Sequence, residues 1–208
     1  YLAEAAPLIV GGLVKKTIAD TLLPQVGQAL ATPYQYSTPG LVIVLAAFTF
    51  QLYLDFSGYT DIALGSARLL GFHLPQNFDW PYRSTSMAEF WSRWHISLST
   101  WFRDYLYFPL GGNRVSVSRN LFNLFFVFLV SGLWHGANWT FIIWGLLNAI
   151  YIIPSIISRT NRNHLEIVAK GKYFPTIREL LSILLTFTLT VFAWIFFRSA
   201  GVTEALQY

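Results

Sequence analysis

Two histidines carry most of the chemistry this sequence offers. His135 stands in "VSGLWHGANW", residues 130 to 139, inside an uncharged run of 39 residues from Asn120 to Ser158. An imidazole in apolar surroundings loses basicity by desolvation and needs hydrogen-bond partners, so it is either a satisfied structural group or a reactive one. A neutral imidazole accepts a proton near pH 7, which is general-base chemistry. Gly132 and Gly136 leave room for close approach of backbone or ligand, and Asn138 brings an amide able to orient the ring. His95, in "RWHIS", supplies a second imidazole, although an aromatic-faced helix can also hold a histidine simply as its polar tip. Asp55 and Asp61 suit a proton relay or a cation site; ion pairing with Arg68, Arg93 or Arg103 is the favoured alternative. His73 and His164 fall in loop-like sequence and read as surface residues.

Other chemistries lack their residues. There is no cysteine, which excludes disulfides, thiolate metal sites and a cysteine nucleophile. The G-x-S-x-G elbow, H-E-x-x-H, the Walker loop and G-x-G-x-x-G are all missing. A zinc site from His95, His135 and an aspartate is conceivable, but no close pair of ligands supports it, and no metal is expected. Acid-base chemistry by neutral imidazole remains.

The elements that must position these groups are membrane helices. The 208 residues are 54% hydrophobic and only 12% charged, against about 25% charged in soluble domains. A net charge of +4, scattered over short loops, is unlike a nucleic-acid stripe, so the lipid bilayer is the expected partner and nucleic acid is not. A helix needs about 20 apolar residues to cross about 30 Å of hydrocarbon. Leu180 to Phe197, bracketed by Glu179 and Arg198, meets this most cleanly. Gly40 to Leu54 begins a second span that runs on through the polar "DFSGYTDIALGSARLLG". The run from Asn120 to Ser158 is just short of two full spans. It forms either a tight hairpin with His135 to Asn138 near the far membrane face, or a pair with one short, broken arm that leaves His135 buried at depth.

Between these spans, "SMAEFWSRWHISLSTWFRDYLYFPLGGN" predicts one amphipathic helix lying at the membrane surface or dipping into it. Ser86 with Glu89 has the form of a capping box, and Pro109, Gly111 and Gly112 supply the stop. Trp91, Trp94, His95, Leu98, Trp101, Phe102 and Tyr105 share one helical face, whereas Arg93, Thr100 and Asp104 point away.

Residues 159 to 179 carry Arg159, Arg162, Lys170, Lys172 and Arg178 against Glu166 and Glu179, which makes that loop cytoplasmic by the positive-inside rule. The basic region from Leu74 to Arg119 falls on the same side, while Lys15 and Lys16 leave the topology of residues 1 to 39 open. The opening "YLAEAAPLIVGGLV" and the closing "AGVTEALQY" read as cut ends. The expectation is a single membrane-embedded domain over residues 1–208, truncated at both ends, all-α and polytopic, with transmembrane, re-entrant and interfacial helices.

Three stretches sharpen this: "QLYLDFSGYTDIALGSARLLGF", "PQNFDWPYRSTSMAEFWSRWHISLSTWFRDYLYFPLGGNR" and "SGLWHGANWTFIIWG". With Lys15, Lys16 and "IAD" ahead of them and "WIFFR" behind, the chain resembles the membrane-bound O-acyltransferase family, in its bacterial alginate O-acetyltransferase-like branch. "FPLGGNR", Phe108 to Arg114, favours that branch over the D-alanyl transferases of teichoic acids. The resemblance implies a multi-pass protein of the bacterial cytoplasmic (inner) membrane. It makes the histidine of "WHG", His135, catalytic and the histidine of "RWHIS", His95, the second functional histidine. It also implies that acetyl-CoA or another acyl thioester is a donor substrate rather than a bound cofactor. The acetyl group would go toward hydroxyls of an extracytoplasmic polysaccharide such as alginate, through partner acetyltransferase proteins. Trp134, Asn138, Asp55 and Asp61 are the candidates for substrate contact.

Two other classes compete. A transporter or channel could use His135, His95, Asp55 and Asp61 as a proton or ion pathway, but would be expected to show paired halves, and no internal repeat is visible. A non-catalytic scaffold subunit would leave both histidines replaceable.

Overall fold

The computed structural model describes residues 1–158, 168–169 and 173–208. Among them the architecture is helical, without a β-sheet, and it divides into two units: residues 1–77 with 207–208, and residues 78–206.

The first unit is a pair of long helices, α1 (Leu2–Ala31) and α2 (Thr38–Leu69), joined by a short turn. They run antiparallel along a seam of small residues. A Cβ added to Gly12 would stand 2.6 Å from the Gly58 carbonyl oxygen, and one on Gly65 would stand 2.9 Å from that of Ala5. Such close backbone approach holds helices together where lipid supplies no hydrophobic drive. The charged residues of α2 are paired across this seam. Lys15 donates to Asp61 at 2.6 Å, Lys16 bonds Asp55 and also Asp20, and Arg68 bonds Glu4 at 3.2 Å. Asp55 and Asp61 are thus ion-paired as favoured, with lysines rather than arginines as partners. The lysine pairing depends on α1 folding back along α2, which no local pattern encodes.

The second unit is built on three helices long and apolar enough to cross a membrane: α5 (Val117–His135), α6 (Trp139–Ile157) and α7 (Ile177–Arg198); α2 in the first unit is a fourth. The tight hairpin is the form taken by the uncharged run. Each arm is an unbroken helix of 19 residues, about 28 Å at 1.5 Å per residue, and α5 reaches that length by starting at Val117. Gly132 lies against the backbone of Phe141 and Gly145 against that of Phe128, positions where a Cβ would collide. The Asn138 Nδ2 donates to the Ala200 carbonyl at 2.8 Å, so the α5–α6 turn and the end of α7 share one end of the bundle. The starts of α5 and α7, with Arg119 and Arg178, are at the other. Of the basic loop, residues 159–167 and 170–172 lie outside the described residues, as does His164. His73 is exposed, as expected.

The segment expected to be one interfacial helix is broken. It comprises α3 (Met87–Arg93), α4 (Ile96–Phe102) and a wider turn over Arg103–Tyr107, with Trp94 extended and His95 left-handed at φ 46° between the first two. Tertiary packing overrides the helical period here. Trp94 is pulled against Phe78, Phe90 and Trp194 at ring separations of 5.0 to 5.6 Å, and its backbone pairs with Phe78. The segment does not lie on the outside of the bundle. Met87 meets Thr190 and Trp91 meets Phe128, Trp144 and Asn148, all near the middle of α5, α6 or α7. It then returns to the start of α5, where the Tyr107 hydroxyl bonds Asn120 at 2.6 Å and Asn123 bonds the carbonyls of Leu110 and Gly112. Trp94 and His95 form the apex of a re-entrant excursion. The single-face stripe dissolves accordingly: Trp94 and Phe102 are buried, whereas Trp101 and Tyr105 are exposed. Arg93 does not point away but is held by Glu89 and Asp79.

The Ser86–Glu89 pair forms half of a capping box. The Ser86 hydroxyl accepts from Glu89 N at 3.2 Å, but the Glu89 carboxylate turns to Thr85 instead of the Ser86 backbone. The reciprocal box stands at the start of α7, between Thr176 and Glu179.

Candidate active site

His135 is the last residue of α5, at the end of a potential span and not halfway along it. Gly136 follows because a Cβ there would stand 2.6 Å from the Phe141 ring. The imidazole is enclosed by aromatic rings from three helices. Trp134 is at 4.9 Å between centroids, Phe197 at 5.0 Å and Trp144 at 5.1 Å, all edge-on, with Phe141 tilted at 6.2 Å. Of these, Trp144 is fully buried and Trp134 is largely exposed. Aromatic edges pack against a neutral ring without supplying a strong acceptor. Among the described residues neither nitrogen of His135 makes a hydrogen bond, and the ring is partly exposed.

His95 comes to the same region. Trp94, its neighbour, packs at a tilt against Trp194 at 5.2 Å, and Trp194 lies 5.1 Å from Phe197, itself a wall of the His135 cage. Along α7, Trp194 and Phe197 are separated by about one helical turn. His95 and His135 are near enough to interact electrostatically. Burial lowers the His95 pKa below the ordinary imidazole value, so the ring is neutral at pH 7.

The remaining candidates divide. Trp134 packs on His135. Asn138 is engaged at both ends of its amide, capping α6 through Thr140 N at 3.2 Å and donating to Ala200, so it fixes the turn rather than orienting the imidazole. Asp55 and Asp61 belong to the first unit and serve its lysine pairs. No group of three histidine, aspartate or glutamate side chains gathers among the described residues. Sequence reasoning missed Phe141, Trp144 and Phe197 as the cage. The signal was weak but present: Phe141 and Trp144 recur three residues apart after the turn, on the face of α6 that meets α5.

Comparison with known proteins agrees with this architecture. The model of the membrane-bound O-acyltransferase family, MBOAT, matches residues 12–197. A protein of Pseudomonas aeruginosa named "Probable alginate O-acetylase AlgI" is 42% identical over 205 residues, covering 98% of this chain and 37% of that protein. The peptidoglycan O-acetyltransferase of Helicobacter pylori is 44% identical over 162 residues, 77% of this chain and 29% of its own length. The teichoic acid D-alanyltransferase of Bacillus subtilis is 30% identical over 214 residues, 93% of this chain and 52% of its own. The chain thus spans well under half the length of the first two and about half of the third.

Proposed function

Because the chain belongs to the membrane-bound O-acyltransferase family, we propose that the protein containing it moves an acetyl group from a cytoplasmic thioester donor, acetyl-CoA, to hydroxyls of an extracytoplasmic polysaccharide. The relatives' acceptors, alginate in one and peptidoglycan in another by their names, are both such polymers. The observation that carries the reading is the imidazole of His135 inside an aromatic cage, with His95 on a re-entrant apex close enough to interact with it.

His135 is the general base. One of its nitrogens takes the proton of the attacking hydroxyl, the alcohol oxygen bonds to the thioester carbonyl carbon, and negative charge gathers on the carbonyl oxygen. The C–S bond then breaks, and the thiolate leaves with the proton returned from the imidazolium. A positioned base contributes about 10² to 10⁴ in rate. The rest comes from orientation and from stabilising the oxyanion, a role we assign to the His95 imidazole.

A coenzyme-A thioester is confined to the cytoplasm, while a secreted polymer is modified outside, so the acetyl group must pass His135 from one phase to the other, directly to the polymer or by way of partner acetyltransferase proteins. The bundle suits this. His135 is at the end opposite the basic starts of α5 and α7, and His95 arrives on a segment that enters from their end. With those basic ends cytoplasmic, the site joins the two faces of a bacterial inner membrane. Asp55 and Asp61 are each paired with a lysine, Lys16 and Lys15, as structural ion pairs are.

The test uses the full-length protein in sealed vesicles of both orientations, with labelled acetyl-CoA outside. Labelled base-labile polymer should form with inside-out vesicles. Labelling only with right-side-out vesicles would reverse the sidedness, and no labelling in either would overturn the acetyl-CoA assignment.

A further inference from the structure

His95 is held in a backbone conformation that its side chain opposes. Its φ of 46° and ψ of 55° lie in the left-handed region, which residues bearing a Cβ rarely adopt, and it caps α4 without a side-chain bond to that helix. Such strain persists only where the surroundings over-determine it, and it gathers at functional positions.

The surroundings here form a charged clamp. Glu89 is 1% exposed, yet its carboxylate is fully engaged: Oε2 accepts from the Thr85 backbone N and hydroxyl, both at 2.8 Å, and Oε1 from Arg93 Nε at 3.0 Å. Arg93 Nη1 reaches the Asp79 carboxylate at 2.8 Å and its carbonyl at 3.2 Å, while Asp79 N donates to the Arg93 carbonyl at 3.0 Å. The chain from 78 to 80 is thereby fastened along Arg93 and Trp94, and α3 cannot continue as a helix through His95. A second residue in the left-handed region, Trp80 at φ 47°, turns the segment on the other side of the clamp. A buried ion pair with this many partners is a poor way to gain stability but a good way to specify one geometry.

We propose that Glu89 and Arg93 are positioning residues for acyl transfer: their clamp on Asp79 imposes the left-handed turn that aims His95 toward His135. The inference rests on the reading of His95 as part of the site. Neither residue touches substrate. Arg93 is required as arginine, because lysine lacks the fork that spans two carboxylates.

The test measures two quantities on the full-length protein in membranes. Steady-state transfer from acetyl-CoA gives kcat and KM. The rate of carbethoxylation by diethyl pyrocarbonate, read by mass spectrometry at His95 and at exposed His73, reports the setting of the imidazole without turnover. Glu89→Gln and Arg93→Lys should each lower kcat 10- to 100-fold, keep KM within twofold, and change the His95 rate at least threefold while His73 is unaltered. Loss of kcat with an unchanged His95 rate overturns the proposal, as does an altered His95 rate with normal kcat. If neither variant accumulates in the membrane, the clamp serves folding and the proposal is likewise overturned. Full activity of His95→Gly would instead remove His95 from the site, a separate failure.

Discussion

The imidazole of His135 meets the ring of Phe197 edge-on, with 5.0 Å between centroids, across the gap between α5 and α7. Phe197 also touches Phe141, Trp144 and Trp194, so one phenylalanine joins the cage around His135 to the cluster that anchors the apex next to His95. Phe197→Leu keeps an apolar side chain of similar reach but removes that edge. Its kcat should fall about tenfold, a loss of about 1.4 kcal/mol of transition-state stabilisation, with little change in KM for the acyl donor. Unchanged kcat would mean that the cage does not set the imidazole.

Close approach of α5 and α6 depends on Gly132, whose absent Cβ leaves space for the Phe141 backbone. Gly132→Ala must push the helices apart one turn below His135. Overpacking of this kind costs about 1–3 kcal/mol. Thermal unfolding of the purified protein in detergent should show a lower midpoint than wild type, and an equal or higher midpoint would count against the packing described.

His95 gives a pH dependence with a definite sign. Burial lowers its folded pKa below the ordinary 6.5, so on acidification through 6.5 the unfolded chain takes up a proton that the folded chain refuses. The folded state therefore loses stability as pH falls from about 7.5 toward 5.5, and regains it as pH rises. Removing the imidazole in His95→Gln should flatten this slope in thermal unfolding across that range. An identical slope in both proteins would show that His95 is not desolvated.

Much of this is legible in the sequence. The clean span at α7 follows from an uncharged run of the right length, the long α2 from an apolar start at Gly40 that runs on through a polar patch, and His135 stands out because an ionisable group in an uncharged run needs a reason. The hairpin could not be chosen over a broken arm from the run alone, since its first turn borrows Val117 to Arg119 from the charged side. The break at Trp94 and His95 was illegible for a stronger reason. The aromatic stripe there fits a helix at every position, and only contacts with Phe78 and Trp194, distant in sequence, make an extended Trp94 preferable. Lys15 and Asp61 lie 46 residues apart and were beyond any local pattern.

That lysine pair gives a charge-exchange prediction. The Lys15–Asp61 pair is partly buried, with side chains 33% and 22% exposed, and is worth about 1 kcal/mol or less as an attraction, but like charges there repel. Lys15→Glu alone should reduce accumulation of the protein in the membrane, and adding Asp61→Lys should restore it, as read by immunoblot of membrane fractions. Failure of the second change to restore what the first removes would mean that the two side chains do not depend on each other.

The account turns on His135 as the base, and single-turnover transfer measures that most directly. Full-length wild-type and His135→Ala proteins, matched for abundance and thermal midpoint, are mixed with labelled acetyl-CoA and acceptor, and the rate of ester formation is followed. The alanine protein should bind the donor as wild type does and form ester at least about 10²-fold more slowly, the span expected for loss of a positioned general base. Ester formation within a few-fold of wild type would contradict the assignment of His135 as the base.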